Sequence, residues 1–446
     1  MRPNRRSFVR CASLAAAGNA IGLRPFGALN ALAQSASGYK ALVCVFLYGG
    51  NDANNTFIPY DTTGYGNYLQ IRGPLAIAQN QLLPLTPLPN FALNPSLPDI
   101  QTLFNNNNAA IVANVGTLVA PTTRAKFLAN QSLPTNLFSH PDQQHEWQNT
   151  SQSGATPTGW AGRIADTLNS TYNPNGLVPM ITSVAGDTLF CNGNASTPVS
   201  VSPGNLGAAS CSESTTECGA RLATAQALLT FDTGLTLVQA DDTITSNAYN
   251  YSKVLTAATA SVPALQTVFP ANNGLAAQLK QIAQIIQVRS ALGVNRQIFF
   301  AGIGNFDTHA GQLTLQNGLL SQVSAALAAF YQATQELGVA FDVTTFTMSD
   351  FSRTFQPNSN TGTDHAWGSH HFVIGGAVKG GQMYGTFPTL ALAGPDDSGS
   401  NGRWVPTTGA VQYAATLAQW FGVSTAQLPS IFPNIGSFAT NNLGFV

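Results

Sequence analysis

The chain has 446 residues, of which 44% are hydrophobic and only 8% are charged, and its formal net charge is −1. A composition this apolar excludes a disordered chain, and the length is sufficient to bury a large core. The near-neutral charge gives no electrostatic basis for binding nucleic acid or an anionic membrane surface.

The first residues predict an export signal. Arg5 and Arg6 precede a mildly apolar stretch that ends in small residues at Ala31 to Ala33. This pattern is typical of a twin-arginine signal peptide over residues 1–33. The alternative is a basic amphipathic helix of the folded protein, which the glycines in the stretch disfavour. We expect a periplasmic or extracellular protein, and no run of about twenty apolar residues predicts a transmembrane segment.

Six short apolar runs predict the strands of a mainly parallel sheet. The runs are nearly continuous rather than alternating, as expected of strands that are covered on both faces. They are Lys40–Tyr48, Ala109–Val115, Val178–Val184, Gln297–Ile303, Phe341–Met348 and a strand that includes His371–Ile374.

Helical patterns lie between several of these strands. Apolar residues recur at helical spacing in Leu275–Leu292, Leu319–Leu337 and Gly409–Phe421. Strands that alternate with helices predict a three-layer α/β/α sandwich. We expect one domain over residues 35–446. Residues 187–262, which are rich in Asn, Ser, Thr and Gly before becoming helical, are interpreted as an insertion or cap over the sheet edge.

Cysteines suggest one short disulfide. Cys44 lies in a predicted buried strand and is expected to be a small apolar filler. Cys191, Cys211 and Cys218 share one polar region. A Cys211–Cys218 disulfide suits an oxidising compartment, and Cys191 then stays single or takes one of those two partners.

All six histidines fall within three short segments. These segments are residues 139–147, 307–309 and 363–371. In parallel sheets, ligands bind beyond the carboxyl ends of the strands, and Asp52 and Asp350 each follow a predicted strand. Imidazole and carboxylate ligands from several loops suit a divalent cation such as Zn, Mn or Mg. We also expect Asp307 and His309 to reach one ion together, because residues i and i+2 of an extended stretch point to the same side.

Structural alternatives exist for several of these residues. Asp52 follows Gly-Gly-Asn and is also suited to an Asx-turn or a helix N-cap. Asp307 and Asp364 could each cap a turn. One of the histidines at the start of the sixth strand is expected to point into packing. Arg353 either binds an anionic group or pairs with Asp350.

Five segments, in order, resemble the signatures of the domain-of-unknown-function 1501 family (DUF1501). The segments are residues 48–55 with Ile58-Pro59, residues 306–309 with Gln312, residues 349–354, residues 362–368 and residues 375–381. That family is twin-arginine exported and is similar to the alkaline phosphatase/sulfatase superfamily.

The resemblance implies an alkaline phosphatase-like fold and a metal-dependent enzyme that acts on phosphate or sulfate esters. It implies one or two divalent ions. The metal ligands that match are Asp52, Asp307, His309, Asp350 and His365. The sequence departs from the superfamily at Phe351, which stands where a histidine often follows the aspartate.

The resemblance also suggests catalytic residues. Ser139 is the candidate nucleophile, because the segment that begins there is similar to the sulfatase pattern Ser/Cys-x-Pro-x-Arg. Gln143 replaces the arginine of that pattern, which disfavours formylglycine chemistry. A metal-bound water is the alternative nucleophile. Arg353 or Lys379 would hold the anionic group of the substrate.

Three functions are therefore considered. The favoured one is an exported metal-dependent hydrolase of a small-molecule or polymer ester. The second is a non-catalytic envelope or assembly protein that retains the fold and has an envelope partner protein. The third is a binding module in which uncharged loops and aromatic side chains contact an envelope polymer. Several retained ligand residues favour the enzyme, whereas the missing histidine at Phe351 and the lack of a clear nucleophile favour the second.

Overall fold

The computed structural model describes residues 38–150, 156–206, 216–231 and 234–446. The predicted signal peptide, Cys211 and the side chain of Cys218 lie outside the described residues, and with them the predicted disulfide. Cys44 and Cys191 are buried free thiols. Burial raises the pKa of both, so each is an apolar filler rather than a reactive group.

Twelve strands form two sheets in the described part of the chain. They are β1 (Lys40–Leu47), β2 (Phe57–Pro59), β3 (Leu83–Pro84), β4 (Phe91–Leu93), β5 (Ala109–Gly116), β6 (Ile181–Ser183), β7 (Val199–Ser200), β8 (Arg296–Ile303), β9 (Val343–Ser349), β10 (Ser369–Ile374), β11 (Met383–Gly385) and β12 (Thr408–Gly409). The central sheet has the order β11-β5-β10-β9-β1-β8-β6-β7, with β12 also paired to β5. The small sheet has the order β2-β4-β3.

Eleven α-helices accompany these strands over the same residues. They are α1 (Thr62–Arg72), α2 (Pro98–Asn105), α3 (Arg124–Leu128), α4 (His140–Asn149), α5 (Trp160–Tyr172), α6 (Thr216–Leu228), α7 (Thr236–Ala260), α8 (Gly274–Gln287), α9 (Gln312–Glu336), α10 (Ala410–Phe421) and α11 (Leu428–Ile431). Among the helices of the described ranges, none combines the length and the apolarity that a membrane span requires.

The central sheet is covered on both faces. Strand β1 shows this directly, because its alternate side chains enter two different cores: Val43 and Val45 pack with α2, α8 and α9, whereas Leu42 and Phe46 pack with α5 and α10. All of these side chains are fully buried. The predicted three-layer α/β/α sandwich with a mainly parallel sheet is therefore confirmed.

The six predicted strands are all present, with ends that differ by a few residues. Strands β1, β8 and β9 are parallel neighbours at the centre of the sheet. Strand β10 runs antiparallel to both β5 and β9. Consequently the residues that follow β10 in the chain lie at the opposite edge from those that follow β9.

Two of the predicted helices have shifted ends. Helix α9 begins at Gln312, earlier than the expected Leu319, and α8 ends at Gln287 rather than Leu292. The early start of α9 matters, because its first residue reaches the edge where the parallel strands end.

Strand β7 lies at one margin of the central sheet, and α7 contacts β7 and α8. Helix α7 has 25 residues but buries only Ser252 and Leu255. The interpretation of residues 187–262 as an insertion or cap within a single domain stays a prediction.

A third, smaller core lies beside the small sheet. Ile58 of β2 and Tyr68 of α1 pack there against Phe355 and Trp404. This core fixes the segment that follows β1, which carries Asp52.

Candidate metal centre

The parallel strands β8, β1 and β9 end at the same edge of the sheet. The last residue of β1 pairs in register with the last residues of β8 and β9. Asp52, Asp307 and Asp350 lie in the segments that follow these three strands. These three carboxylates therefore lie at the edge of the sheet that was predicted from the sequence.

Four side chains converge there: His140, Asp307, His309 and His365. The Oδ1 atom of Asp307 lies 3.0 Å from Nε2 of His309 and 3.4 Å from Nε2 of His140. It lies 3.5 Å from Nε2 of His365. The Nε2 atom of His365 is 3.1 Å from that of His140 and 3.0 Å from that of His309. We call these four residues the histidine cluster.

Each imidazole of the cluster has its other nitrogen bound to an oxygen. The Nδ1 atom of His140 is 2.6 Å from Oδ2 of Asp350. In His309, Nδ1 is 3.2 Å from Oδ1 of Asp364. In His365, Nδ1 is 2.7 Å from the main-chain oxygen of Phe138. A carbonyl or an ionised carboxylate only accepts hydrogen bonds, so we assign the proton of each neutral ring to Nδ1 and a lone pair to Nε2.

The cluster thus brings together three nitrogen lone pairs and one carboxylate oxygen. Such atoms repel one another at 3.0–3.5 Å unless a cation or an extra proton lies among them. Zinc ligands lie about 2.0–2.1 Å from the ion, which places neighbouring ligand atoms roughly 3 Å apart. Histidines that donate Nδ1–H to a carboxylate or carbonyl are the usual form of a metal ligand. His140, Asp307 and His365 therefore fit a divalent cation, because their ligand atoms all lie within 4.8 Å of one another, and His309 adjoins this set through Asp307 and His365.

The electrostatics of the histidines differ from ring to ring. The hydrogen bond that His140 donates to Asp350 raises the pKa of His140, in opposition to burial, which lowers it. Burial lowers the pKa of His365 below its ordinary value. An extra proton is therefore disfavoured on His365, whose Nε2 is close to both other rings.

Arg353 holds Asp307 in the cluster. Its guanidinium is fully buried and donates to the main-chain oxygens of Gly49, Gly50 and Thr363 and to Oδ1 of Asp307. Partial burial acts to raise the pKa of Asp307, but the hydrogen bond and charge of Arg353 outweigh it, so that the pKa lies below its usual range. Arg353 therefore keeps the carboxylate ionised. Arg353 does not bond to Asp350, and none of its nitrogens faces solvent. The expected role of Arg353 in binding a substrate anion is therefore not supported.

Asp350 acts on the cluster through His140. It is fully buried and also accepts hydrogen bonds from the main-chain nitrogen of Gly49, at 3.1 Å, and from Nε2 of Gln144, at 2.8 Å. Because one oxygen of Asp350 bonds to His140 and Gln144 and the other bonds to Gly49, both oxygens are already occupied by protein donors. The structure thus places Asp350 behind a cluster residue rather than in the cluster.

Two glycines after β1 permit this close packing. Gly49 and Gly50 have φ angles of +107° and +79°. A Cβ atom on Gly49 would lie 2.5 Å from the main-chain nitrogen of Asp307, and one on Gly50 would lie 2.6 Å from the ring of Phe351. Both the positive φ and the close approach require glycine.

Asp52 lies apart from the cluster. It is fully buried, and its Oδ2 atom accepts hydrogen bonds from the guanidinium of Arg72 and from Nε2 of Gln312. Its Oδ1 atom accepts from the main-chain nitrogen of Asn54 at 2.9 Å, as the N-cap of a short 3₁₀ helix. The capping alternative describes this residue, and the structure does not bring it together with the expected ligands.

Lys379 lies at the other end of the molecule. It follows β10, and the glycines just before it bond to main-chain oxygens that precede β5 and β9. Its Nζ atom donates to the main-chain oxygen of Gly444 at 2.9 Å. Because β10 is antiparallel, Lys379 is at the amino end of the parallel strands and cannot hold a substrate at the cluster. The structure therefore does not bring Lys379 together with the other expected site residues.

Ser139 is the residue before His140, at the start of α4. Its hydroxyl donates to Oδ2 of Asp142 at 2.5 Å. The neighbouring Gln143, which stands where the sulfatase pattern has arginine, is buried and bonds to Thr117 and to a main-chain oxygen. Ser139 is thus next to the cluster in the chain and has a carboxylate partner.

His140 is a cluster residue that was not among the ligands expected from the sequence. It belongs to one of the three histidine segments, so the grouping of the histidines was the available signal. Its side chain reaches the sheet edge because it occupies the first position of α4. Asp364 was considered only as a turn cap, but it bonds to His309.

A family model described as "Protein of unknown function (DUF1501)" matches residues 39–401. No curated protein matches the sequence of this chain.

Several solved structures are similar at low identity. The lipoteichoic acid synthase LtaP from Listeria monocytogenes is 8% identical with a TM-score of 0.36, over 88% of this chain and 74% of that one. The PsFucS1 sulfatase from Pseudoalteromonas sp. is 10% identical with a TM-score of 0.34, over 82% and 70% of the two chains. A mutant of the alkaline phosphatase PafA is 10% identical with a TM-score of 0.27, over 71% and 63%. Likenesses this distant say nothing about the activity of this chain.

Proposed function

We propose that this chain, which belongs to the DUF1501 family of proteins of unknown function, is an exported metal-dependent hydrolase of phosphate or sulfate esters. The observation that carries the proposal is the arrangement of the histidine cluster. Three imidazoles have their Nδ1 atoms bound to oxygens and direct their Nε2 atoms at one carboxylate oxygen. Arg353 binds the same carboxylate oxygen from the buried side, and a divalent cation would satisfy the Nε2 lone pairs that remain.

The donor set indicates which cation. Imidazole nitrogens with a carboxylate oxygen suit Zn²⁺ better than Mn²⁺ or Mg²⁺, which prefer oxygen ligands. We propose a single ion, held by His140, Asp307 and His365, with His309 as a further ligand that would have to approach from its position beside Asp307 and His365. Asp52 and Asp350 are committed to Arg72 and to His140 and leave no second set of ligands among the described residues.

The residues around the cluster have distinct tasks in the proposed reaction. When bound, a divalent cation supplies Lewis acidity toward an ester oxygen. Arg353 keeps Asp307 ionised, and Asp350 and Asp364 keep the Nε2 lone pairs of His140 and His309 directed at the centre. Half of the side chain of Asp307 is exposed, so a substrate can reach the cluster from solvent.

Ser139 is the proposed nucleophile. Asp142 lies within hydrogen-bond distance of its hydroxyl and can accept the proton as the oxygen attacks phosphorus or sulfur. The bond from phosphorus or sulfur to the ester oxygen breaks, the alcohol leaves with a proton, and water then hydrolyses the seryl ester to release phosphate or sulfate and restore Ser139. A water molecule is the alternative nucleophile. A Ser139→Ala variant separates the two, because it abolishes turnover in the first case and retains it in the second.

The first test is metal content. Protein folded with Zn²⁺ or Mn²⁺ is dialysed, and bound metal is measured for the wild type, His140→Ala and His365→Ala. His145→Ala is the matched control, because His145 is on the same helix and bonds to Asn149 instead of the cluster. We expect about one ion per chain in the wild type and the control, and a large loss in the other two.

The second test is turnover of aryl phosphates and aryl sulfates by the same four proteins. Activity that follows metal content supports the hydrolase. Stoichiometric metal without turnover of any ester would favour a non-catalytic envelope or polymer-binding protein. A folded wild type that binds neither ion would contradict the metal site itself.

A further inference from the structure

A second arginine, Arg403, lies beside the histidine cluster. Its Nε atom donates to the main-chain oxygen of His365 at 2.9 Å. Its guanidinium carbon lies 4.5 Å from the centre of the Phe138 ring. The main-chain oxygen of Phe138 is the acceptor that fixes the ring of His365. Arg403 therefore contacts both residues that set the position of one cluster imidazole.

The remaining donors of Arg403 are free. Within the described ranges, neither terminal nitrogen has a hydrogen-bond partner, and no carboxylate lies within ion-pair distance. Arg353 and Arg72 differ in this respect, because their terminal nitrogens all bond to main-chain oxygens or to aspartates. The side chain of Arg403 is partly exposed. It thus presents unused N–H groups to solvent next to the cluster.

The main chain that carries Arg403 is rigidly built. Asp397, which is fully buried, accepts four main-chain hydrogen bonds at 2.9–3.0 Å. The donors are the nitrogens of Ala393, Gly399, Gly402 and Arg403 itself. A loop fixed in this way, together with the stack on Phe138, holds the guanidinium in place before any ligand arrives.

A fixed guanidinium fork with free terminal nitrogens matches the oxygens of a tetrahedral anion. Arginine binds phosphate-like groups through two parallel N–H···O bonds, which a lysine cannot reproduce. We infer that Arg403 binds the anionic group of the substrate and that it, rather than Arg353 or Lys379, makes the site selective for a phosphate or sulfate ester. This inference rests on the proposed function.

The experiment measures binding of inorganic phosphate and of inorganic sulfate to the metal-loaded protein by calorimetry. The variants are Arg403→Gln, Arg403→Lys and the control Lys280→Gln, which removes one positive charge from an exposed position on α8. We expect Arg403→Gln to weaken phosphate affinity about ten- to hundredfold, as loss of charge-assisted hydrogen bonds does. Arg403→Lys should fall between it and the wild type, and Lys280→Gln should match the wild type.

Metal content and thermal unfolding are measured on the same samples. Both should be unchanged in Arg403→Gln, because within the described ranges the hydrogen bond and ring contact of the arginine side chain are made to the main chain of His365 and to Phe138, and not to the side chain of a cluster residue. Loss of metal in that variant would overturn the inference, since it would show a structural role. Equal phosphate affinity in wild type and Arg403→Gln would overturn it as well, and would leave the metal site intact. A wild type that binds metal but neither anion would refute the anion site, whereas a wild type without metal would refute the proposed function first.

Discussion

The molecule contains two aspartate–arginine pairs at the same sheet edge, and they are built differently. Asp52 and Arg72 are both fully buried, and both of their side chains are satisfied by protein groups. Asp307 pairs with an equally buried arginine, Arg353, but its own side chain is 47% exposed. Its Oδ1 atom also faces the Nε2 atoms of three imidazoles, to which we assign lone pairs because each Nδ1 atom bonds to an oxygen.

The difference shows which carboxylate has a structural role and which is available for chemistry. In the Asp52 pair every charge is matched within the protein, and nothing is left for a ligand. In the Asp307 pair the arginine fixes the carboxylate, while about half of that side chain faces solvent beside three imidazole nitrogens. Proximity to a strand end is common to both, so the partners, not the position, decide the role.

The largest effect is expected from Asp52→Ala. Removing one partner of a buried ion pair leaves the guanidinium of Arg72 uncompensated, which typically costs about 3–5 kcal/mol. Urea unfolding at neutral pH measures the loss. Asp61→Ala is the control, because Asp61 is an exposed N-cap of α1 and its loss should cost about 1 kcal/mol. Equal costs for the two variants would show that the buried pair is not special.

Glu146 is a buried carboxyl group that has no cation partner. It lies on α4, six residues beyond His140, and its Oε2 atom has no hydrogen bond within the described part of the chain. Burial, with a smaller contribution from Asp142, raises its pKa to about 7. The folded state therefore retains a proton that the unfolded state releases near pH 4.5.

The stability contributed by protonated Glu146 is complete below pH 4.5 and is lost as the pH rises through about 7. Glu146→Gln cannot titrate, so its free energy of unfolding should exceed that of the wild type by an amount that grows over this window, to about 3 kcal/mol by pH 8. Urea unfolding at several pH values gives the difference. A constant difference between pH 4 and pH 8 would contradict the buried, unpaired environment.

An intermediate effect is expected from Asp350→Asn. The amide can still accept from the main chain, but its NH₂ group would donate to Nδ1 of His140 and move the ring proton to Nε2. The lone pair is then lost from the cluster, and metal affinity should fall about 10- to 100-fold while the fold survives. Titration with a competing chelator measures the affinity. An unchanged affinity would mean that His140 is not a ligand.

The smallest effect is expected from the matched change Asp364→Asn. Asp364 holds His309 at 3.2 Å, but its side chain is 46% exposed, and solvent can replace the lost acceptor. Metal affinity should fall by less than the Asp350→Asn variant loses, on the order of tenfold or below. A larger loss of metal affinity than that of Asp350→Asn would contradict the expectation that the buried partner, Asp350, matters more than the exposed partner, Asp364.

The sheet could be predicted because its strands are locally encoded. Nearly continuous apolar runs such as Lys40–Leu47 identify strands that are covered on both faces, and the alternation with helices gives the layers. The direction of β10 could not be predicted, because an apolar run is compatible with both parallel and antiparallel pairing. For this reason Lys379, which follows β10, was expected beside the cluster but lies at the opposite end of the sheet.

The site could be predicted only as far as its chemistry is grouped in the chain. Asp307 and His309 are two residues apart, and the structure brings both to the cluster. The environment of Asp52 depends on Arg72 and Gln312, which lie 20 and 260 residues away and carry no mark of that pairing. The sequence showed that His140 belongs to a group of histidines, but it did not show that His140 is a ligand. The direction of its side chain depends on where α4 begins.

The position of β1 in the sheet has a consequence for synthesis of the chain. Lys40 of β1 pairs with Arg296 of β8, and Ala41 pairs with Val343 of β9. Ribosomes add about 5–20 residues each second, so the first strand waits roughly 13–50 seconds before either neighbour has been made. During that time a very apolar strand has two unpaired edges, which is a state prone to aggregation. A nascent chain of this protein therefore requires protection from aggregation until β8 has been translated. Truncated chains that end before β8 should accumulate as insoluble material.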